Sequence, residues 1–146
     1  MAYDLDRFVA EQQFVYDDVL TELRRGHKTG HWIWFIFPQV AGLGYSATSQ
    51  RFAIGSLDEA RTYLAHPLLG AHLRECAAAV LAVTGRTVEE ILGPVDAMKL
   101  RSCMTLFYRA APGEPLFAQL LDTLYCGQPD GATDALLAGR GTDSRG

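Results

Sequence analysis

The chain has 146 residues, 49% hydrophobic and 21% charged, which excludes an intrinsically disordered protein and suits a single folded domain. A formal net charge of −4 offers a nucleic-acid partner no global electrostatic attraction.

In chain order, Asp4 or Asp6 is positioned to cap a helix reaching Arg25, with Phe8, Gln12, Val15, Val19 and Leu23 at spacings of three and four. Gly26 ends it in the left-handed position that glycine favours. Arg24, Arg25, His27 and Lys28 then form a basic cluster that reads best as a solvated helix C-terminus, with phosphate binding as the alternative. The densest feature follows: His31-Trp32-Ile33-Trp34-Phe35-Ile36-Phe37-Pro38-Gln39 contains both tryptophans and two of the seven phenylalanines. It is far shorter than the roughly 20 apolar residues of a membrane span. Its periodicity fits a buried strand or a short buried helix. As a helix it has Thr29 as its cap, stops near Phe37 ahead of Pro38, and puts His31, Trp34 and Phe35 on one face. Trp32, Ile33, Ile36 and Phe37 are expected to pack.

Gly42 and Gly44 mark a turn before a helical stretch at Ser46–Ala53. Ser56-x-x-Glu59 is a capping box opening a helix through Leu64. Pro67 suits the first turn of the next helix, Leu68–Val83, whose face is Leu69, Leu73, Ala77, Val80 and Leu81. Thr87-x-x-Glu90 is a second capping box, for a short helix ending at Gly93. Pro94 starts another through Met98, Leu100, Met104 and Phe107. Leu116–Tyr125 repeats the pattern, and a short helix at Thr133–Leu137 precedes a small polar tail. These elements predict an all-α fold: a single compact domain of seven to eight helices over residues 1–138, an orthogonal-type bundle, with a flexible tail at 139–146. Cys76, Cys103 and Cys126 show no CxxC spacing, and the four histidines lack metal-ligand spacing, so no metal or other cofactor is expected. The acidic N-terminus has no apolar leader segment, which makes cytoplasmic the expected location.

Three blocks carry a family resemblance. They are the His31–Gln39 segment, Leu57-Asp58-Glu59-Ala60-x-x-Tyr63-Leu64-x-His66-Pro67-x-Leu69-Gly70, and Lys99-Leu100-x-Ser102-x-Met104-Thr105-Leu106-Phe107. Together they resemble the DUF1810 family (domain of unknown function 1810) from about Leu5 to Tyr125. The resemblance implies a small, mostly helical cytosolic protein of bacterial type and assigns no activity. Relatives usually carry a serine where this chain has Cys103, so Cys103 is best read as a small buried side chain. A fainter likeness to the NADAR family rests on Pro67, Leu69, Leu73, Glu89 or Glu90, and Asp96. It implies NAD, ADP-ribose and N-glycosidic chemistry, although Ala97-Met98-Lys99 replaces the Trp-Gly pair that family tends to carry.

The polar residues on otherwise apolar elements are candidates for a site: His31, Gln39, Arg51, Lys99, Ser102 and Thr105, beside Trp34 and Phe35. Helical spacing lets Lys99, Ser102 and Thr105 project into one cleft. An ammonium for phosphate, hydroxyl donors and an aromatic face suit a nucleotide-like or ADP-ribose-like anionic small molecule. Each candidate also has a structural explanation. Ser102 and Thr105 can bond back to carbonyls one turn earlier, and Arg51 can pair with Asp58 or Glu59. Two other functions stay open: an interaction module docking a partner through exposed tryptophans, or a purely structural role for the aromatic run. Neither a nucleic-acid nor a membrane partner is indicated.

Overall fold

α1 (Asp6–Arg25) buries Phe8, Gln12, Val19 and Leu23, with Val15 half-buried against the core. A computed structural model describes residues 3–139. Neither Asp4 nor Asp6 caps α1. Leu5 holds the cap position with helical backbone angles and no side-chain bond, Asp6 is already in the first turn, and the Asp4 carbonyl accepts from the Arg7 guanidinium instead. At the other end Gly26 has φ 76°; its amide donates to Leu23 O and that of His27 to Glu22 O, closing the paired bonds of a Schellman turn.

The aromatic run makes a single helical turn, α2 (Ile33–Ile36). Thr29 does not cap it. The cap position is Trp32, without a side-chain bond, while the Thr29 amide is held by the Glu22 carboxylate at 2.8 Å. Trp32, Ile33, Ile36 and Phe37 are buried, as their pattern predicts. α3 (Ala47–Arg51) and α4 (Leu57–Ala65) follow, and an isolated parallel bridge between Val40 and Ile54 joins the segments on either side of α3. Ser56 caps α4 by accepting from the Glu59 amide at 3.1 Å. The Glu59 carboxylate does not return the bond; it accepts from Gly55 N at 2.8 Å and from Arg7 at 3.0 Å.

α5 (Leu69–Ala82) starts after a turn that contains Pro67, and the His66 ring accepts from the Leu68 and Leu69 amides at 3.1 Å. The histidine, not the proline, finishes this helix start. At Gly70 a Cβ would stand 2.1 Å from Leu64 O, so the α4–α5 corner closes only around a glycine. Thr87 and Glu90 form both halves of a capping box on α6 (Val88–Leu92). α7 (Pro94–Ala110) is the central element and packs on α2, α4, α6, α8 (Pro115–Tyr125) and α9 (Gly131–Gly139). Rings from α1, α4, α7 and α8 run in line through the core: Phe8–Tyr63 at 5.1 Å, Tyr63–Phe107 at 5.4 Å and Phe107–Phe117 at 6.0 Å. The result is an all-α single domain with nine helices among the described residues, against the seven to eight expected; the aromatic run, whose pattern fits strand and helix alike, supplies the helical turn α2. α9 runs to Gly139, and the rest of the expected tail lies outside the described residues.

One buried polar chain ties α1, α2, α4 and α5 together. Gln12 donates to Phe35 O at 2.6 Å and meets Tyr63 Oη at 3.1 Å, which turns its carbonyl oxygen toward His72 Nδ1 at 2.7 Å. His72 Nδ1 therefore carries a proton, and Tyr16 stacks on the ring at 3.5 Å. Burial lowers the pKa of His72, outweighing the opposing pull of Glu75. With the folded pKa below the unfolded value of about 6.5, the unfolded chain binds the proton more readily. Stability is full above that pH and declines as pH falls through it. The melting temperature is expected to drop between pH 7.5 and 5.5. His72→Asn, whose amide keeps a donor for Gln12, should flatten that slope; equal slopes for both proteins would exclude His72 as the cause.

Candidate functional site

Local structure brings two lysines to one carboxylate beside the aromatic segment. Asp96 lies in the first turn of α7, and Lys99 follows one turn later. The Schellman turn after α1 carries Lys28 inward, where its ammonium meets Asp96 Oδ2 at 2.8 Å and donates to Gly30 O. Lys28 also lies 4.9 Å from the Trp32 ring centroid, and its side chain is only 7% exposed. Lys28 therefore leaves the basic cluster that the sequence suggests. Arg25 and His27 are exposed, and Arg24 meets Glu75 at 3.5 Å. Lys99 mirrors Lys28 more loosely: 3.9 Å from Asp96 Oδ1 and 4.9 Å from the Trp34 centroid. Two ammoniums share one carboxylate, so the group carries a surplus positive charge. Lys28 holds Asp96 closely, which leaves the surplus on Lys99.

Lys99 faces an open cleft of about 290 Å³. One wall is Gln39 and Leu43, from the loop after α2. α7 contributes Ser102 and, at the rim, Val95 and Met98. The far wall is the start of α9, with Asp130 and Ala132. On the other side of Gln39 a niche of about 100 Å³ is bounded by Trp34, Phe52 and the backbone around Gly42. The aromatic segment and α7 thus meet, and Gln39 lines both hollows.

The expected site residues divide accordingly. Gln39, Lys99 and Ser102 line the cleft, and Trp34 stands beside it under Lys99. The other four do not reach it. His31 precedes α2, is exposed and lines neither hollow, because the helix begins two residues after it. Phe35 is buried against Phe52 at 5.5 Å. Arg51 packs over Phe52 and pairs with Glu11 at 3.7 Å, not with Asp58 or Glu59. Thr105 is fully buried; it donates to Arg101 O at 2.8 Å and accepts from Asp130 N at 2.8 Å, a structural role. Ser102 also donates back, to Met98 O at 3.2 Å. Asp130 and the Lys28–Asp96 pair are absent from the sequence-derived set. The Asp96-x-x-Lys99 spacing signals the second, weaker pairing, but nothing local points from Lys28 to Asp96. Cys103 is buried, and burial pushes its thiol well above the ordinary range, as befits a packing residue. Among the described residues, no group of three or more His, Cys, Asp or Glu side chains could hold a metal ion. None of their helices is long and apolar enough to cross a membrane.

Fold and site define a class: a small helical domain in which a tryptophan-rich turn and a long central helix share a lysine-bearing cleft. The chain belongs to the DUF1810 family, described as protein of unknown function, whose model matches residues 2–137. It is similar to a solved structure, the conserved hypothetical protein Rv1873 from Mycobacterium tuberculosis, at 52% identity and a TM-score of 0.92. That match covers 93% of this chain and 97% of the other. No curated protein matches it. The likeness to the NADAR family finds no support from these matches. Two of the carboxylates it rested on are also occupied here: Glu90 closes a capping box and Asp96 is held by Lys28.

Proposed function

We propose that this protein binds a small anionic molecule in the cleft between the Gln39 loop, α7 and α9, with Lys99 as its charge contact. The observation that carries this is the uneven sharing of Asp96: Lys28 is bound at 2.8 Å and buried, Lys99 stands at 3.9 Å and faces the cleft. A cation so weakly paired at a concave surface is free to engage a carboxylate or phosphate. The cleft, about 290 Å³, lies at the lower edge of the roughly 300–1,000 Å³ of small-molecule sites. That size favours a ligand no larger than a mononucleotide over an extended one such as ADP-ribose. A second reading, a docked protein segment, is favoured by Val95 and Met98, which are 65% and 71% exposed on the rim. The tryptophan-docking form of that reading loses Trp32, which is 3% exposed.

A thermal-shift panel of mononucleotides, sugar phosphates and small carboxylates tests the proposal. A ligand at about 100 times its Kd adds roughly 2.7 kcal/mol of stability. Lys99→Met should weaken the best binder at least about tenfold by calorimetry, or about 1.4 kcal/mol, with little change in the unliganded melting temperature. A panel without a shift, or a variant that binds as the parent does, would defeat the anion reading.

A further inference from the structure

We infer that the cleft selects a dipolar ligand, one bearing an anionic group for Lys99 and an N–H donor, amine or ammonium, for Asp130. The inference rests on the anion-binding reading above and adds the second pole. Asp130 is a half-buried carboxylate on the wall formed by the start of α9. Its position is fixed from several sides. Oδ2 accepts from Thr133 N at 2.9 Å and from Thr133 Oγ1 at 2.6 Å. The Asp130 amide donates to Thr105 Oγ1, and its carbonyl accepts from Asp134 N at 3.1 Å. No donor or cation meets Oδ1 among the described residues.

The two α7 arginines that bond to residues flanking Asp130 are committed elsewhere. Arg101 donates to the carbonyls of Gln128 and Pro129, at 2.9 and 3.1 Å, and Arg109 holds Asp134 with two bonds of 2.9 Å. Asp130 is thus a rigid carboxylate without a counter-cation that shares a cleft with a loosely paired ammonium. Leu43, Val95 and Met98 give that cleft apolar surface. A bare anion would satisfy Lys99 but meet Asp130 as a like charge, which disfavours it. A ligand with an N–H donor at its other end satisfies both groups, and the site discriminates strongly against an analogue that leaves Asp130 unmatched.

Two matched pairs of probes separate the sources of such a donor. Adenosine 5′-monophosphate and purine riboside 5′-monophosphate differ at an exocyclic amine, and the latter has no N–H on its six-membered ring; 6-aminohexanoate and hexanoate differ at an ammonium. In titration calorimetry, the aminated member of one pair is expected to bind at least about tenfold more tightly than its partner. Asp130→Asn keeps an acceptor for the Thr133 amide and should shrink that ratio below about threefold. Lys99→Met should weaken both members. If both members bind equally and Lys99→Met weakens them alike, the dipolar inference falls and the anion reading survives. Discrimination that persists in Asp130→Asn also overturns the inference. If no probe of either pair binds, both fall.

Discussion

Asp96→Ala is expected to destabilise the domain by about 3–5 kcal/mol, because it leaves the Lys28 ammonium buried without its counter-charge. Lys28 keeps its contact with the Trp32 ring and its bond to Gly30 O, but neither supplies a negative charge. Lys99 cannot substitute, being a cation itself. Replacing the pair together, Lys28→Met with Asp96→Leu, should recover most of the loss, since a buried ion pair exchanged for apolar groups of similar volume is often close to neutral. Urea unfolding of the three proteins provides the measurement. A single-variant loss below about 1 kcal/mol would mean that water reaches Lys28, contrary to its burial.

Glu22→Ala is the second large effect, at about 3 kcal/mol, as three donors lose one acceptor. Glu22 Oε1 accepts from Thr29 N at 2.8 Å, Gly30 N at 2.9 Å and Trp32 Nε1 at 3.0 Å. Glu22→Gln keeps a carbonyl oxygen in place and should cost about 1 kcal/mol. Burial raises the pKa of this carboxyl, yet the Gly30 and Thr29 amides and the Trp32 indole lower it further, and the net shift is downward. Its contribution is therefore complete above the ordinary glutamate range and disappears only as pH falls through the lowered value. That window lies well below the one set by His72, so the two acid effects separate in a pH series. Equal stability of Glu22→Ala and its parent at neutral pH would show that the turn after α1 is held by other contacts.

Features encoded by neighbours in sequence were the legible ones. The apolar faces of α1 and α8, those of α5 and α7 apart from Leu81 and the exposed Met98, the full capping box at Thr87–Glu90 and the glycine stop at Gly26 all follow from spacings within a few residues. The buried half of the aromatic run was legible for the same reason. What escaped depends on partners far along the chain. Ser56 and Glu59 have capping-box spacing, but Arg7 draws the Glu59 carboxylate away from the second bond. Thr29 looks like a cap until Glu22 takes its amide. His31 looks like a site residue only if the helix begins early enough to include it. Lys28 lies in a basic cluster that local charge assigns to solvent, and only the packing of α7 against α2 and α6 brings Asp96 to it. At the cleft, helical spacing accounts for Lys99 and Ser102 lining one wall together but could not show that Thr105 turns into the core to hold the Asp130 amide.

The two tryptophans divide the molecule into two optical reporters. Trp32 is sealed against solvent with Lys28 over its ring, whereas Trp34 is half-buried under Lys99 at the edge of the cleft. Their indoles emit from different surroundings, and no other tryptophan in the chain adds to the signal. Emission from Trp32 follows the integrity of the turn after α1. Emission from Trp34 is expected to respond to displacement of the Lys99 ammonium 4.9 Å from its ring, so the binding proposed for the cleft can be tested without an added label.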